Sequence, residues 1–207
     1  MRLVFVHGWA LGPESWDLLS PLLEIFPQAR VDLGYFGVPR LPDALPGDIL
    51  VGHSAGFLWG LKQRPNWAGA VAINSFSRFC LDAQGRGCVK PAALRAMRSH
   101  LARDTEDGVR NFRASIGAPA APELAEAAPL AQGLELLRSF DVLPHLGEKR
   151  LLVLATKDDA LAPAREAENL AQGLGASLFF SEKGGHGLPW TAPEFCAGKI
   201  EKFLQAQ

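Results

Sequence analysis

The chain has 207 residues, of which 48% are hydrophobic and 21% charged, with 21 Lys and Arg against 22 Asp and Glu for a net charge of −1. This is the composition of one globular domain with a single sizeable core, and it excludes a disordered chain and a globally basic nucleic-acid binder. No apolar run approaches the roughly 18 residues a membrane helix needs, and no signal-peptide core precedes the first apolar run, so no membrane association and a cytoplasmic location are expected. Cys80, Cys88 and Cys196 are an odd and sparse set. Reduced thiols are expected, without a disulfide framework or a metal site.

In chain order, the first compact apolar runs are Leu3 to Val6, Ile49 to Val51 and Ala70 to Ile73, rich in β-branched residues and flanked by Gly, Asp or Asn. Each reads as a strand buried on both faces. A helix is predicted from Ala55 to about Arg64. The interval from Asp32 to Gly52 carries Pro39, Pro42 and Pro46, so no helix is expected before the second of these strands. From about residue 77 the texture changes. Apolar residues recur at helical spacing in Leu94, Met97 and Leu101, in Val109, Phe112 and Ile116 ended by Gly117, and in Leu130, Leu134 and Leu137. Near residue 148 the strand type returns with Leu151 to Ala155 and Ser177 to Phe180, separated by a helix opened by Pro163, and a last helix is predicted over Pro193 to Ala206. Strands alternating with helices imply an α/β fold, a mostly parallel sheet flanked by helices. The expected domain plan is a core of residues 1–76 and 148–207 with a helical cap inserted over 77–147. Residues 78–113 hold eight Lys and Arg against four acids; this +4 stretch is either the solvated outer face of amphipathic helices or a docking face for an acidic partner.

The chemistry concentrates in four stretches. Gly52-His53-Ser54-Ala55-Gly56 fits G-x-S-x-G between a predicted strand and a predicted helix, the context in which a serine projects above a sheet on a strained turn. A serine hydroxyl needs an adjacent base, and that base needs an acid to hold its tautomer. The only histidine beyond the last predicted strand is His186, in Gly184-Gly185-His186-Gly187. Its acid follows the strand Leu151 to Ala155, where Asp158 and Asp159 stand at the sheet edge that carries active sites in open α/β folds. Asp159 is favoured for its spacing to Pro163, with Asp158 as a turn cap. The oxyanion donors are expected to be the backbone amides of Ala55 and of Trp9, in the loop His7-Gly8-Trp9. His7 is assigned to loop structure, His53 to support of the elbow, Trp16 to packing, and His100 and His145 to packing or surface.

These stretches resemble the α/β-hydrolase superfamily over nearly the whole chain: HGW at 7–9, GHSAG at 52–56, DALAP at 159–163 and GGHG at 184–187. Within it, His7 to Leu11, Gly133 to Asp141 and Pro193 to Cys196 are similar to the esterases that remove the methyl group from pimeloyl-acyl-carrier-protein methyl ester in biotin synthesis. Two differences stand out: Met1 opens directly on the first strand, implying a fold reduced at the N-terminus, and histidine precedes the elbow serine where those esterases commonly have tryptophan. The resemblance implies a serine carboxylesterase with Ser54, His186 and Asp159 as triad, a small-molecule or carrier-linked ester substrate, no cofactor and no metal. Its basic cap implies an acyl carrier protein as partner, docking at Arg95 and Arg98. A general short-chain esterase, a thioesterase and a non-catalytic ligand-binding protein on the same fold are the alternatives.

Overall fold

The computed structural model describes residues 1–64, 66–147, 149–172 and 176–206; Glu148, where the returning core was expected to start, lies outside them. Its sheet has six strands, β1 (Arg2–Val6), β2 (Gln28–Val31), β3 (Asp48–His53), β4 (Gly69–Ile73), β5 (Leu151–Thr156) and β6 (Ser177–Ser181), in the order β2-β1-β3-β4-β5-β6. All five pairings are parallel. Side chains alternate across a strand, so each central strand must satisfy two apolar layers at once. Val4, Val6, Leu50, Ala72 and Val153 face one layer; Leu3, Phe5, Ile49, Val51, Ile73 and Leu154 face the other, against the last helix. Each such fully buried Leu, Val or Phe contributes about 1.5–3 kcal/mol relative to an exposed one.

The helices are α1 (Ala55–Gln63), α2 (Pro91–Arg103), α3 (Thr105–Ser115), α4 (Ala127–Ser139), α5 (Leu143–Leu146), α6 (Ala164–Gln172), α7 (Leu188–Thr191) and α8 (Pro193–Gln205). Helix α8 buries Cys196, Ala197, Ile200 and Leu204 on one sheet face. Between β4 and β5 the described residues carry helices α2 to α5, separated by loops, with Leu94, Leu101, Val109, Leu130, Leu134 and Leu137 buried as the periodicity predicts. The proline-bearing stretch 32–47 forms no helix. None of the described helices is long and apolar enough to cross a membrane.

Three elements differ from expectation. β2 has no apolar run, because as an edge strand it pairs with β1 alone and only Val31 is fully buried. Two single-turn helices, α5 and α7, each begin next to a proline in Leu-Pro sequences too short for a periodic signal. The chain leaves β1 toward β2 on one side and reaches β3 on the other, so β1 and β3 bracket the point where strand order reverses. The crevice beyond the carboxyl ends of strands at such a point is where open α/β sheets bind ligands.

Candidate active site

Five strand ends meet at that edge. Ser54 follows β3 with φ 51° and ψ −125°, a conformation few L-residues adopt, and its amide donates to the Ile73 carbonyl at 3.0 Å. The turn closes because its flanks are glycine: a Cβ on Gly52 would lie 2.4 Å from the Phe57 Cα, and one on Gly56 would lie 2.2 Å from the Val6 carbonyl oxygen. His186, in a short 3-10 turn after β6, brings Nε2 within 2.9 Å of Ser54 Oγ and Nδ1 within 2.8 Å of Asp159 Oδ2. With Nδ1–H donated to the carboxylate, Nε2 is left to accept the serine proton. Ser54, His186 and Asp159 are all buried.

Asp159 also accepts the amides of Leu161 at 2.8 Å and Ala162 at 2.9 Å and the Asn74 side-chain N–H at 2.9 Å. Burial opposes its charge, but the bonds from His186 and from these amides outweigh that and hold the carboxyl below the usual carboxylate range. Asp158 takes the other expected role: its carboxylate accepts the amides of Gly184 and Gly185 and so fixes the turn that carries His186. The amides of Trp9 and Ala55 have no acceptor among the described residues; Ala55 is the first residue of α1, where an amide has no intrahelical partner. A cleft of about 510 Å³ opens beside His186, lined by Ile116, Leu161 and Thr191 among others.

His7 donates from Nδ1 to the Gly8 carbonyl and accepts the Leu33 amide at Nε2, both at 3.0 Å, which shapes the loop after β1. Trp16 is fully buried against Phe5, His100 pairs with Asp107, and His145 stacks on Phe140. The Trp9 ring donates from Nε1 to the Leu130 carbonyl of α4 at 2.8 Å and meets Phe112 of α3 edge-on, joining this loop to α3 and α4. His53 donates from Nε2 to the carbonyl of His186 at 2.8 Å. Burial, with the neighbouring His186, pushes its pKa down to about 3, so His53 stays neutral and acts as a fixed donor behind the His186 backbone.

Asn74 is a site residue that sequence reasoning missed. It stands directly after β4 at φ 43°, and its amide nitrogen reaches Asp159, Thr156 Oγ1 at 3.4 Å and the Gly185 carbonyl at 2.6 Å. The available signal was an asparagine closing an apolar strand, a residue type that tolerates left-handed backbone. Asn74→Asp keeps that tolerance but sets two carboxylates about 2.9 Å apart. At pH 7 a stability loss of about 3 kcal/mol is expected. One carboxyl of the pair then has a folded pKa above its unfolded value of about 3.9, so the folded state takes up the extra proton and the deficit shrinks as pH falls. Thermal unfolding at pH 7.5 and pH 5 checks this; an equal deficit at both would contradict it.

A parallel α/β sheet with a serine on a strained strand-to-helix turn, a histidine after the last strand and an acid after the one before is the arrangement of an α/β-hydrolase. A family model described as TAP-like protein matches residues 137–206. The pimeloyl-[acyl-carrier protein] methyl ester esterase of Aromatoleum aromaticum is 30% identical over 98% of both chains. Among solved structures, a bromoperoxidase from Bacillus anthracis superposes with a TM-score of 0.85 at 16% identity, covering 99% of this chain and 91% of that one. The esterase EaEST from Exiguobacterium antarcticum gives 0.83 at 17% identity, over 100% and 92%. At those identities the two structures establish the fold. The chain belongs to the α/β-hydrolase family that includes the Aromatoleum esterase, and it is a hydrolase.

Proposed function

We propose that the chain is a serine carboxylesterase that cleaves the methyl ester of an acyl group borne on an acyl carrier protein, the pimeloyl ester of biotin synthesis. The observation that carries the chemistry is the unbroken chain from Ser54 Oγ through His186 to Asp159, at 2.9 and 2.8 Å, on a strained elbow. Ser54 Oγ attacks the ester carbonyl while His186 Nε2 takes its proton, and the imidazolium then gives that proton to the departing methoxide. Asp159 holds the imidazole tautomer and stabilises its charged form. The amides of Trp9 and Ala55 face the oxyanion; loss of one such donor costs about 3–4 kcal/mol. Water activated by His186 then releases the acyl group. Helices α3 and α4, within the proposed cap of residues 77–147, reach this edge through Phe112 and Leu130, which meet the Trp9 ring.

The carrier-linked substrate draws support from the Aromatoleum relative and from the basic face of α2. The face is narrower than composition suggested. Arg78 and Arg86 pair with Asp82 and Asp141, Arg110 pairs with Asp107, and Arg113 is buried. Arg95 is exposed without an ion pair among the described residues, and Arg98 is half exposed 3.6 Å from Glu135. Exposed pairs are worth up to about 1 kcal/mol each. Arg95→Glu with Arg98→Glu is therefore expected to lower kcat/KM on methyl pimeloyl carrier protein up to about 30-fold, more at low salt, while p-nitrophenyl butyrate is unaffected. Equal loss on both esters would remove the docking reading. Turnover of the small ester alone by the unaltered enzyme would leave a general short-chain esterase.

A further inference from the structure

On the buried stripe of α3, at helical spacing with Val109, Phe112 and Ile116, stands a guanidinium, and Arg113 is only 2% exposed. A charge taken out of water that far is tolerated when its donors are met. Its Nε donates to the Pro119 carbonyl at 2.7 Å, Nη1 to the Ala10 carbonyl at 3.0 Å, and Nη2 to the Ala120 carbonyl and to Glu14 Oε1, each at 3.2 Å. Phe36 lies under its plane with the ring centre 5.3 Å away. Two of these partners lie between β1 and β2, Ala10 in the loop after β1 and Glu14 in the 3-10 turn Pro13–Trp16 that follows it, and Glu14 Oε1 also accepts the Gly12 amide at 3.2 Å. Ala10 has φ 54°, a left-handed conformation that a residue with a Cβ keeps only when its surroundings hold it.

We infer that Arg113 is a positioning residue of the oxyanion hole, and that seating of the inserted helices sets the aim of the Trp9 amide through it. Ala10 is the residue next to that amide, so a carbonyl anchored to α3 on one side and a Trp9 ring anchored to α4 on the other leave the Trp9 amide little freedom to turn. The loop is thus built from β1 but aimed by the insertion. This inference rests on the serine-esterase reading above.

The test compares wild type with Arg113→Met and Arg113→Lys, on p-nitrophenyl butyrate and on a trifluoromethyl ketone analogue. Ser54 Oγ adds to the ketone carbon, its proton passes to His186, and the resulting oxyanion occupies the hole. Displacement of a donor by about 1 Å costs on the order of 10- to 100-fold. Arg113→Met is expected to lose that factor in kcat and in ketone affinity alike, with KM within about twofold. Arg113→Lys, which keeps the charge but not the fork, should fall between, and in a third variant, Arg113→Ala, guanidinium ion should restore part of the activity. If Arg113→Met does not fold, the lysine variant is read in the same way. Ketone affinity unchanged in both variants, or a rise in KM at constant kcat, overturns the inference. Ser54→Ala separates the two layers: turnover that survives it removes the serine reading and this inference together, whereas a dead Ser54→Ala beside wild-type ketone affinity in the arginine variants removes this inference alone.

Discussion

Ser54→Ala is expected to lower kcat for ester hydrolysis by about 10⁶-fold, His186→Ala by a similar factor, and the double variant by no more than either. In the proposed mechanism the three side chains act as one relay: without the serine Oγ there is no acyl-enzyme to form, and without His186 Nε2 at 2.9 Å the hydroxyl keeps its proton. Once the relay is cut, the second deletion has nothing left to remove. Asp159→Asn should cost about 10⁴-fold with the fold intact, because an amide in place of the carboxylate no longer fixes the Nδ1–H tautomer or steadies the imidazolium. Residual turnover above water, on the order of 10³-fold, would come from the oxyanion donors and binding. Steady-state rates on p-nitrophenyl esters, with circular dichroism to verify folding, measure all four variants. A Ser54→Ala enzyme within tenfold of wild type, or a double variant that multiplies the single losses, contradicts the relay.

The elements that surround this proposed relay were legible in the chain for a local reason. A strand that must be apolar on both faces and then turn within one residue into a helix leaves few sequences open, and Ile49 to Gly56 is one of them. The same holds for the acid after β5 and for the glycines that let His186 turn back over the sheet. Partners that reach the site from a distance were not legible. Asn74 reads as a strand-ending residue, and its bonds to Asp159 and Gly185 exist only once β4 and β5 are neighbours and the β6 turn folds across them. Arg113 was counted among surface cations, although its place beside Val109, Phe112 and Ile116 put it on the inward stripe. Charge alone could not separate it from Arg95; helical phase could. β2 escaped for the opposite reason, since Gln28 to Val31 owes its strand conformation to β1 and has little pattern of its own.

The elbow also carries the largest expected effect on folding. Gly56 sits where α1 leaves the sheet, and a Cβ there would lie 2.2 Å from the Val6 carbonyl oxygen and 2.4 Å from that of His7. Both obstacles are backbone, one in β1 and one at the start of the proposed oxyanion loop, so no rotamer change relieves them. Either α1 moves away from β1, opening the layer built on Val6, Phe57 and Leu58, or the loop that carries the Trp9 amide shifts. Overpacking that forces backbone movement costs about 3 kcal/mol or more, against a total stability of about 5–15 kcal/mol. Gly56→Ala is therefore expected to express mostly as insoluble protein, and the soluble fraction to be inactive. Gly198→Ala is the counterpart. It stands inside α8 with no atom beyond its own helix backbone and chain neighbours within 4 Å of the new Cβ, so the exchange removes backbone freedom from the unfolded chain without a clash and should stabilise by about 0.5–1 kcal/mol, raising Tm by roughly 1–4 °C. Opposite signs for one chemical change would locate the effect in the contact between α1 and β1. A Gly56→Ala protein that melts and turns over like wild type would mean that the elbow has room the distances deny.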